Sequence, residues 1–297
     1  MIPVTMPRKK KIAADHPCFS EEAHRTFGRI HLPVAPACNI QCRYCIRKYD
    51  CANESRPGIT STVLSPAEAL ERAEAVVERS GRISVIGIAG PGDPLANEAT
   101  FETMSAIHRA FPDLILCVST NGLALPDKLD ALLRSGVRSV TVTINAVLPE
   151  TAEKIYSWVS CRGRRSTGRE AAALLLDNQW RGLGEAAEAG LMVKVNSVMI
   201  PGINDGELPL IAREAGAKGA DIMNIIPLIP QAEFTGLGRP SRETIHAKRT
   251  ECGGYLSQMS HCKQCRADAC GILGQDGDME LETLHARLGE DYCDTVG

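Results

Sequence analysis

An open, partial (β/α)6 barrel of the TIM type, with a cysteine-bearing extension at each end, is the fold this 297-residue sequence predicts. Three observations carry that expectation. Six short apolar runs alternate with longer helical segments, the pattern of right-handed βαβ units around a parallel sheet. Six units are too few to close the eight-stranded barrel. Aromatic residues make up only 4% of the chain against 44% hydrophobic. The core must then be built from Ala, Leu, Ile and Val, as suits an α/β protein.

The elements follow in order. Residues 1–28 look irregular and contain His16-Pro17-Cys18. Residues 29–35 form the first strand, and a cysteine-rich loop follows over 36–62. Ser65-Pro66 opens a helix with Ser65 as N-cap and Glu68 in a capping box; it runs to about Ser80, before Gly81. Strands are expected at 83–89, 114–118, 138–144, 191–198 and 221–226, and helices at 97–110, 127–135, 168–189 and 206–216. Residues 241–259 suggest one more helix, and 260–297 a cysteine-bearing tail. The organisation is thus an extension over 1–28, the barrel over 29–240 and a second extension over 241–297.

Charged residues are 23% of the chain and the net charge is −3. Bulk disorder and a global basic field for nucleic acid are both excluded. The run Arg8-Lys9-Lys10-Lys11 reads as a solvated arm. No stretch approaches the roughly 18–20 apolar residues of a membrane span, and the N-terminus lacks the apolar core of a signal peptide. The expected location is the cytoplasm. Twelve cysteines in such a chain should be metal ligands, catalytic groups or buried small hydrophobes rather than disulfides.

Cys38, Cys42 and Cys45 stand in a C-x3-C-x2-C loop just after the first strand. Three thiolates on one loop can hold three irons of a [4Fe–4S] cube and leave the fourth open. A zinc knuckle would want a fourth ligand. This spacing resembles the signature of the radical S-adenosylmethionine (SAM) superfamily. The resemblance implies a cluster whose open iron chelates SAM and whose electron cleaves it to a 5′-deoxyadenosyl radical. Gly90, Gly92 and Asp93, in Gly90-Pro91-Gly92-Asp93-Pro94, resemble the glycine-rich motif that meets SAM. Ser119, Asn121, Asn145 and Asn196 lie at or near later strand ends, where polar side chains line such cavities.

Further ligand types remain. Cys262-x2-Cys265 is a strong metal pair, with Cys252 or Cys270 open as a third ligand. Cys18 precedes the first strand, His31 lies in it, and Cys117 lies near the end of the third. Together with His16-Pro-Cys-Phe, Ala89-Gly-Pro-Gly-Asp-Pro94, Lys194-Val-Asn-Ser-Val198, Ile200-Pro-Gly-Ile-Asn204 and Arg266-Ala-Asp-Ala269, these residues resemble the NifB family of nitrogenase cofactor maturases over about residues 16–274. Many members carry an additional C-terminal carrier domain, so this sequence looks like the form without it.

The resemblance implies three [4Fe–4S] clusters and SAM. Cys38, Cys42 and Cys45 would hold the radical SAM cluster. Cys18, His31 and Cys117 would hold a substrate cluster, K1, with Glu54 as an exchangeable ligand. Cys262 and Cys265 would hold a second, K2, and Cys51 would guard the SAM site. One SAM gives a methyl and a second gives the radical that takes a hydrogen from it. Fusion of K1 and K2 around that carbon, with a ninth sulfur, yields an [8Fe–9S–C] cofactor precursor. Implied partners are cluster donors, a reductant and a downstream cofactor scaffold or carrier protein. Cys161, Cys252, Cys270 and Cys293 match no motif of the family. The rival readings are a radical SAM enzyme with an auxiliary cluster acting on a peptide or nucleotide, and a non-enzymatic iron–sulfur scaffold.

Overall fold

The computed structural model describes residues 8–54, 58–262 and 265–272; Cys293 and the tail beyond Ile272 lie outside them. Helices α1 (Arg8–Asp15) and α2 (Glu21–Thr26) precede strands β1 (Gly28–His31) and β2 (Ile40–Cys42). Then come α3 (Pro66–Arg79), β3 (Ile83–Ile88), α4 (Glu98–Ala110), β4 (Ile115–Thr120), α5 (Leu125–Arg134) and β5 (Val137–Thr143). The chain continues through α6 (Pro149–Ile155), β6 (Tyr156–Cys161), β7 (Arg164–Ser166), α7 (Gly168–Glu188) and β8 (Met192–Met199). It ends with α8 (Leu208–Ala217), β9 (Ile222–Pro227), α9 (Arg242–Gly253) and β10 (Cys270–Ile272).

Six parallel strands form the main sheet in the order β1-β3-β4-β5-β8-β9, the expected partial barrel. β3 and β8 are buried on both faces, as parallel strands covered by helices must be. The core between sheet and helices is aliphatic, with Ile86, Leu116, Val140, Val193 and Ile225 all fully buried. Helix α3 has the expected capping box, Ser65 and Glu68 each satisfying the other's backbone N–H.

Both edges of this sheet are covered by the C-terminal chain. Residues 257–259 pair with β9 through Met223 N to Ser257 O at 2.8 Å and Met259 N to Met223 O at 2.7 Å. β10 pairs antiparallel with β1. The segment between them, carrying Cys262 and Cys265, therefore crosses from one edge of the open barrel to the other. β1 and part of β9 thereby gain backbone partners at the sheet edges, and two cysteines are laid across the barrel's open side.

Four expectations need correction. Residues 8–26 are not irregular: α1 and α2 form there. The basic run is not a free arm, because Lys9 pairs with Asp221 at 3.4 Å and Ile12 is buried against Val85, Ile115 and Met192 at the starts of three strands. The first strand stops at His31 and the last helix at Gly253, short of 35 and 259. The sequence pattern also gave no sign of the hairpin β6–β7, whose turn has positive φ at Arg162 (49°) and Gly163 (80°), the geometry that suits two-residue hairpins.

Candidate functional site

Two adjoining cavities occupy the barrel's interior. The first is walled by Cys38, Cys42 and Cys45, with Cys51, Asp93 and Asn121. The loop bearing the three cysteines is held from outside the barrel. Ile40, Gln41 and Cys42 pair with Val159, Trp158 and Tyr156 of the hairpin. Gln41 Nε2 donates to the carbonyls of Cys42 and Cys45, both at 2.9 Å, and Arg47 donates to Gln41 Oε1 at 3.0 Å and to the Ile40 carbonyl.

Gly92 fixes the same loop from below. A side-chain carbon there would stand 2.2 Å from the Ala37 oxygen, so only glycine fits. Gly92 N and Asp93 N donate to the carbonyls of Ala35 and Ala37. The glycine motif's close approach is thus to the strand-loop junction leading into Cys38. Gly90 lines neither cavity.

Asp93 ties two strand ends together. Its carboxylate accepts from Leu95 N at 2.9 Å, Thr120 Oγ1 at 2.9 and 3.0 Å, and Asn121 N at 2.6 Å. Asn121 Nδ2 reaches Asn39 Oδ1 at 2.6 Å and Cys38 Sγ at 3.7 Å. Burial pushes the Asp93 carboxyl up to about 6, against the hydrogen bonds that draw it down. A carboxyl raised above its unfolded value binds its proton more tightly in the native state. Its contribution to stability is full below about pH 4 and is lost as pH rises through about 6. Asp93→Asn should lower the melting temperature overall but flatten its decline across that window. Parallel anaerobic melts of both proteins check this, and equal slopes would assign the decline to another group.

The second cavity adjoins the first, with Glu54 and Ser119 in the walls of both. Its wall brings together Cys18, His31, Cys117, Glu54, Cys262 and Cys265. Strand register explains two of these six, His31 and Cys117. His31, Gly87 and Cys117 are direct neighbours across β1, β3 and β4. A side-chain carbon at Gly87 would lie 2.8 Å from Cys117 Sγ and 3.5 Å from His31 Nε2. The missing side chain is what leaves room between them. His31 Nδ1 lies 3.0 Å from the Arg266 carbonyl. A carbonyl only accepts, so Nδ1 carries the proton and Nε2 keeps the lone pair that a metal needs.

Glu54 and Ser119 line both cavities. Glu54 thus stands at their boundary, accepting from Asn196 Nδ2 at 2.9 Å and Thr143 Oγ1 at 3.4 Å. Burial pushes its carboxyl up and Lys194 draws it down. Asn196 also accepts from Asn224 at 3.2 Å. Asn145 lines neither cavity. It is fully buried and holds the Tyr44 and Tyr156 hydroxyls and Val198 N.

Lys194 and His16 fall in the family-like stretches Lys194-Val-Asn-Ser-Val198 and His16-Pro-Cys-Phe but are not among the expected site residues, and Gly87 belongs to no such stretch. Lys194 is 6% exposed; against the cost of burial, its charge is held by Cys18, Glu54, Cys262 and Cys117. As the single charged residue in the otherwise uncharged strand Met192–Met199, it leaves a further trace in the sequence. His16 Nδ1 accepts from Cys18 N at 3.1 Å, so the neutral ring carries its proton on Nε2. That atom is buried with no partner among the described residues. Burial, and then Lys194, lower this imidazole to about 3, so it stays neutral. Arg29 Nη2 donates to Cys265 Sγ at 3.3 Å.

Burial pushes the thiols of Cys38, Cys42, Cys51, Cys18, Cys117 and Cys265 up, Cys265 to about 12. Such thiols become good ligands by losing their protons to a bound metal. Cys252 and Cys270 sit in the aliphatic core and Cys161 packs on the hydrophobic cluster that includes Ile40 and Cys42; none lines either of these two cavities. Among the described residues no three His, Cys, Asp or Glu side chains converge on a single metal ion. A cube distributes its ligands over separate irons and needs no such convergence. The three-cysteine loop in one open cavity fits that group.

A family model for the radical SAM superfamily matches residues 32–215. The chain is 50% identical over 281 residues to the FeMo cofactor biosynthesis protein NifB of Klebsiella pneumoniae, covering 92% of this chain and 60% of that one. Against the same-named protein of Frankia alni the identity is 47%, with 96% and 58% covered. For Chlorobaculum tepidum it is 46%, with 93% and 65% covered. The chain therefore spans about three-fifths of the length of these relatives. The crystal structure of Streptococcus suis SuiB superposes with a TM-score of 0.57 at 11% identity, over 87% of this chain and 54% of that one, a likeness of fold alone. The chain belongs to the radical SAM superfamily of enzymes, whose members carry a [4Fe–4S] cluster and use SAM, and its relatives in sequence are NifB proteins.

Proposed function

We propose that this chain makes a nitrogenase cofactor precursor, fusing two [4Fe–4S] substrate clusters, K1 and K2, around a SAM-derived carbon, with an added sulfur, into an [8Fe–9S–C] species. One observation carries the reading. Cys18, His31, Cys117, Glu54, Cys262 and Cys265 all wall one cavity, which shares Asn53, Glu54 and Ser119 with the wall of the three-cysteine pocket. The names borne by the relatives support it.

Cys38, Cys42 and Cys45 would hold the resident cluster, which with SAM supplies a carbon-centred radical. The chain's own groups position and shield. Cys18, from the turn between α1 and α2, would face K1 together with His31 of β1 and Cys117 of β4, and Cys262 with Cys265 would face K2 from the segment across the barrel mouth. Nitrogen and oxygen ligands such as His31 and Glu54 exchange on iron more readily than thiolate, which suits cargo that must leave. Glu54 at the boundary can also take up a proton, since burial already holds its carboxyl high. Cys51 lies in the SAM pocket, where it can cap the site before SAM binds. Cluster donors, a reductant and a downstream carrier complete the scheme.

The test is anaerobic reconstitution followed by SAM and dithionite. About twelve irons per chain, 5′-deoxyadenosine and a transferable eight-iron species are expected. Cys262→Ala/Cys265→Ala should lose about four irons and the transferable species while still cleaving SAM. If that double variant makes full product, the tail does not hold a substrate cluster. A single organic product with all clusters retained would favour the auxiliary-cluster enzyme.

A further inference from the structure

A third concavity opens between the C-terminal end of β9 and helix α9. Arg239, Arg242, His246 and Arg249 line it, and no carboxylate does among the described residues. Arg239, Arg242 and His246 are exposed. Arg249 reaches inward. Its Nη2 donates to the Ile225 carbonyl at 2.9 Å, and its Nε is buried with no hydrogen-bond partner among the described residues.

This groove abuts the inner cavity. Asn224, Ile226 and Cys262 belong to the walls of both. Cationic side chains therefore run from Lys194 inside, past Cys262 to Arg249, and out to Arg242 and Arg239. A cleft lined by one sign of charge focuses the field along it and concentrates counter-ions. The three-cysteine pocket cannot serve as the same doorway, because the resident cluster and SAM would fill it during turnover.

We propose that this arginine-lined groove is the passage by which anionic iron–sulfur clusters move between solvent and the inner cavity. The inference rests on the function proposed above and adds the route its cargo takes. A four-iron cluster with thiolate ligands is an anion, and so is attracted along such a path. Cys262, at the join, is placed to be the first protein thiol it meets. Arg239 and Arg242 act on the rate of entry and exit, not on the final ligand set.

The probe is a synthetic four-iron cluster anion bearing small thiolates, offered anaerobically to the iron-free full chain, with uptake followed by visible absorption. Arg239→Glu/Arg242→Glu should slow uptake about tenfold or more at low salt, and the difference should vanish at high salt as screening sets in. Arg239→Lys/Arg242→Lys should load like wild type. Equal uptake rates for the charge-reversed and wild-type proteins at every salt concentration would overturn the passage. If wild type takes up only one cluster per chain, the proposed function falls first and this inference with it. Thermal melts report whether the reversed variant folds. If it does not, Arg239→Gln/Arg242→Gln replaces it, with a smaller slowing expected, and an unchanged rate overturns the passage in the same way.

Discussion

Cys42→Ala should abolish SAM cleavage, with 5′-deoxyadenosine falling to the level seen without protein, while the fold survives. Cys42 is 6% exposed among Tyr44, Tyr156 and Val159. Losing one sulfur there leaves a small cavity, costing on the order of 1 kcal/mol. In a chain of this size that is a few degrees of melting temperature. The strand pairing that holds the loop is made by backbone and remains. The loss is therefore chemical: two thiolates cannot keep the cube with one iron free for SAM. Removing a sulfur bonded to iron should cost more than the about 100-fold typical of a group that only orients a ligand. Product analysis after single-turnover incubation with dithionite reads the effect. Residual cleavage above about one-hundredth of wild type would mean that a neighbouring thiol takes over. Cys51 is the one in the same cavity, and Cys42→Ala/Cys51→Ala would then remove the remainder.

Much of this site is legible in the residues alone, and the reason is periodicity. The alternation of strands and helices implies six parallel strands, and chemistry in such sheets gathers at their C-terminal ends. His31 and Cys117 can be paired as candidates because both fall in strands. What the pattern does not carry is that β1 and β4 both flank β3, so that Gly87 is the gap between them. Isolated glycine within a strand does hint at a close approach, but not of what. Asn145 misleads for the converse reason. A polar residue at a strand end can serve the cavity or the scaffold, and here its amide holds two tyrosine hydroxyls instead. Helix α1 is hidden by its own charge. Four basic residues in a row suggest a solvated arm, yet Ile12 and Ala13 pack the helix against three strands and Lys9 pairs with Asp221. The tail cysteines are visible as a pair. That they cross the barrel mouth depends on edge pairings at 257–259 and 270–272 that leave almost no sequence pattern.

Lys194→Met should weaken retention of the inner-cavity clusters and make those that remain harder to reduce. Lys194 is buried, and against that burial its ammonium is stabilised by Cys18, Glu54, Cys262 and Cys117 in that order. Methionine keeps the length and apolar bulk and removes only the charge. Each added electron makes a cluster more negative, so losing a nearby cation lowers the potential. Across about 8 Å at an effective dielectric near 20 the missing attraction is roughly 2 kcal/mol, or about 90 mV for one electron. Anaerobic redox titration followed by EPR measures this, alongside iron per chain. Lys194→Arg should restore most of the potential, since the charge returns even though the head group differs. A merely structural lysine would give a different pattern: methionine would then bind iron with unchanged potentials, or would lower the melting temperature without touching the spectra. The Glu54 carboxyl supplies an independent readout. Lys194 is the first group drawing it down, so its removal should hold Glu54 protonated to higher pH. A protonated Glu54 cannot ligate iron. Any part of product formation that depends on Glu54 should then shift its pH profile upward in Lys194→Met and return in Lys194→Arg.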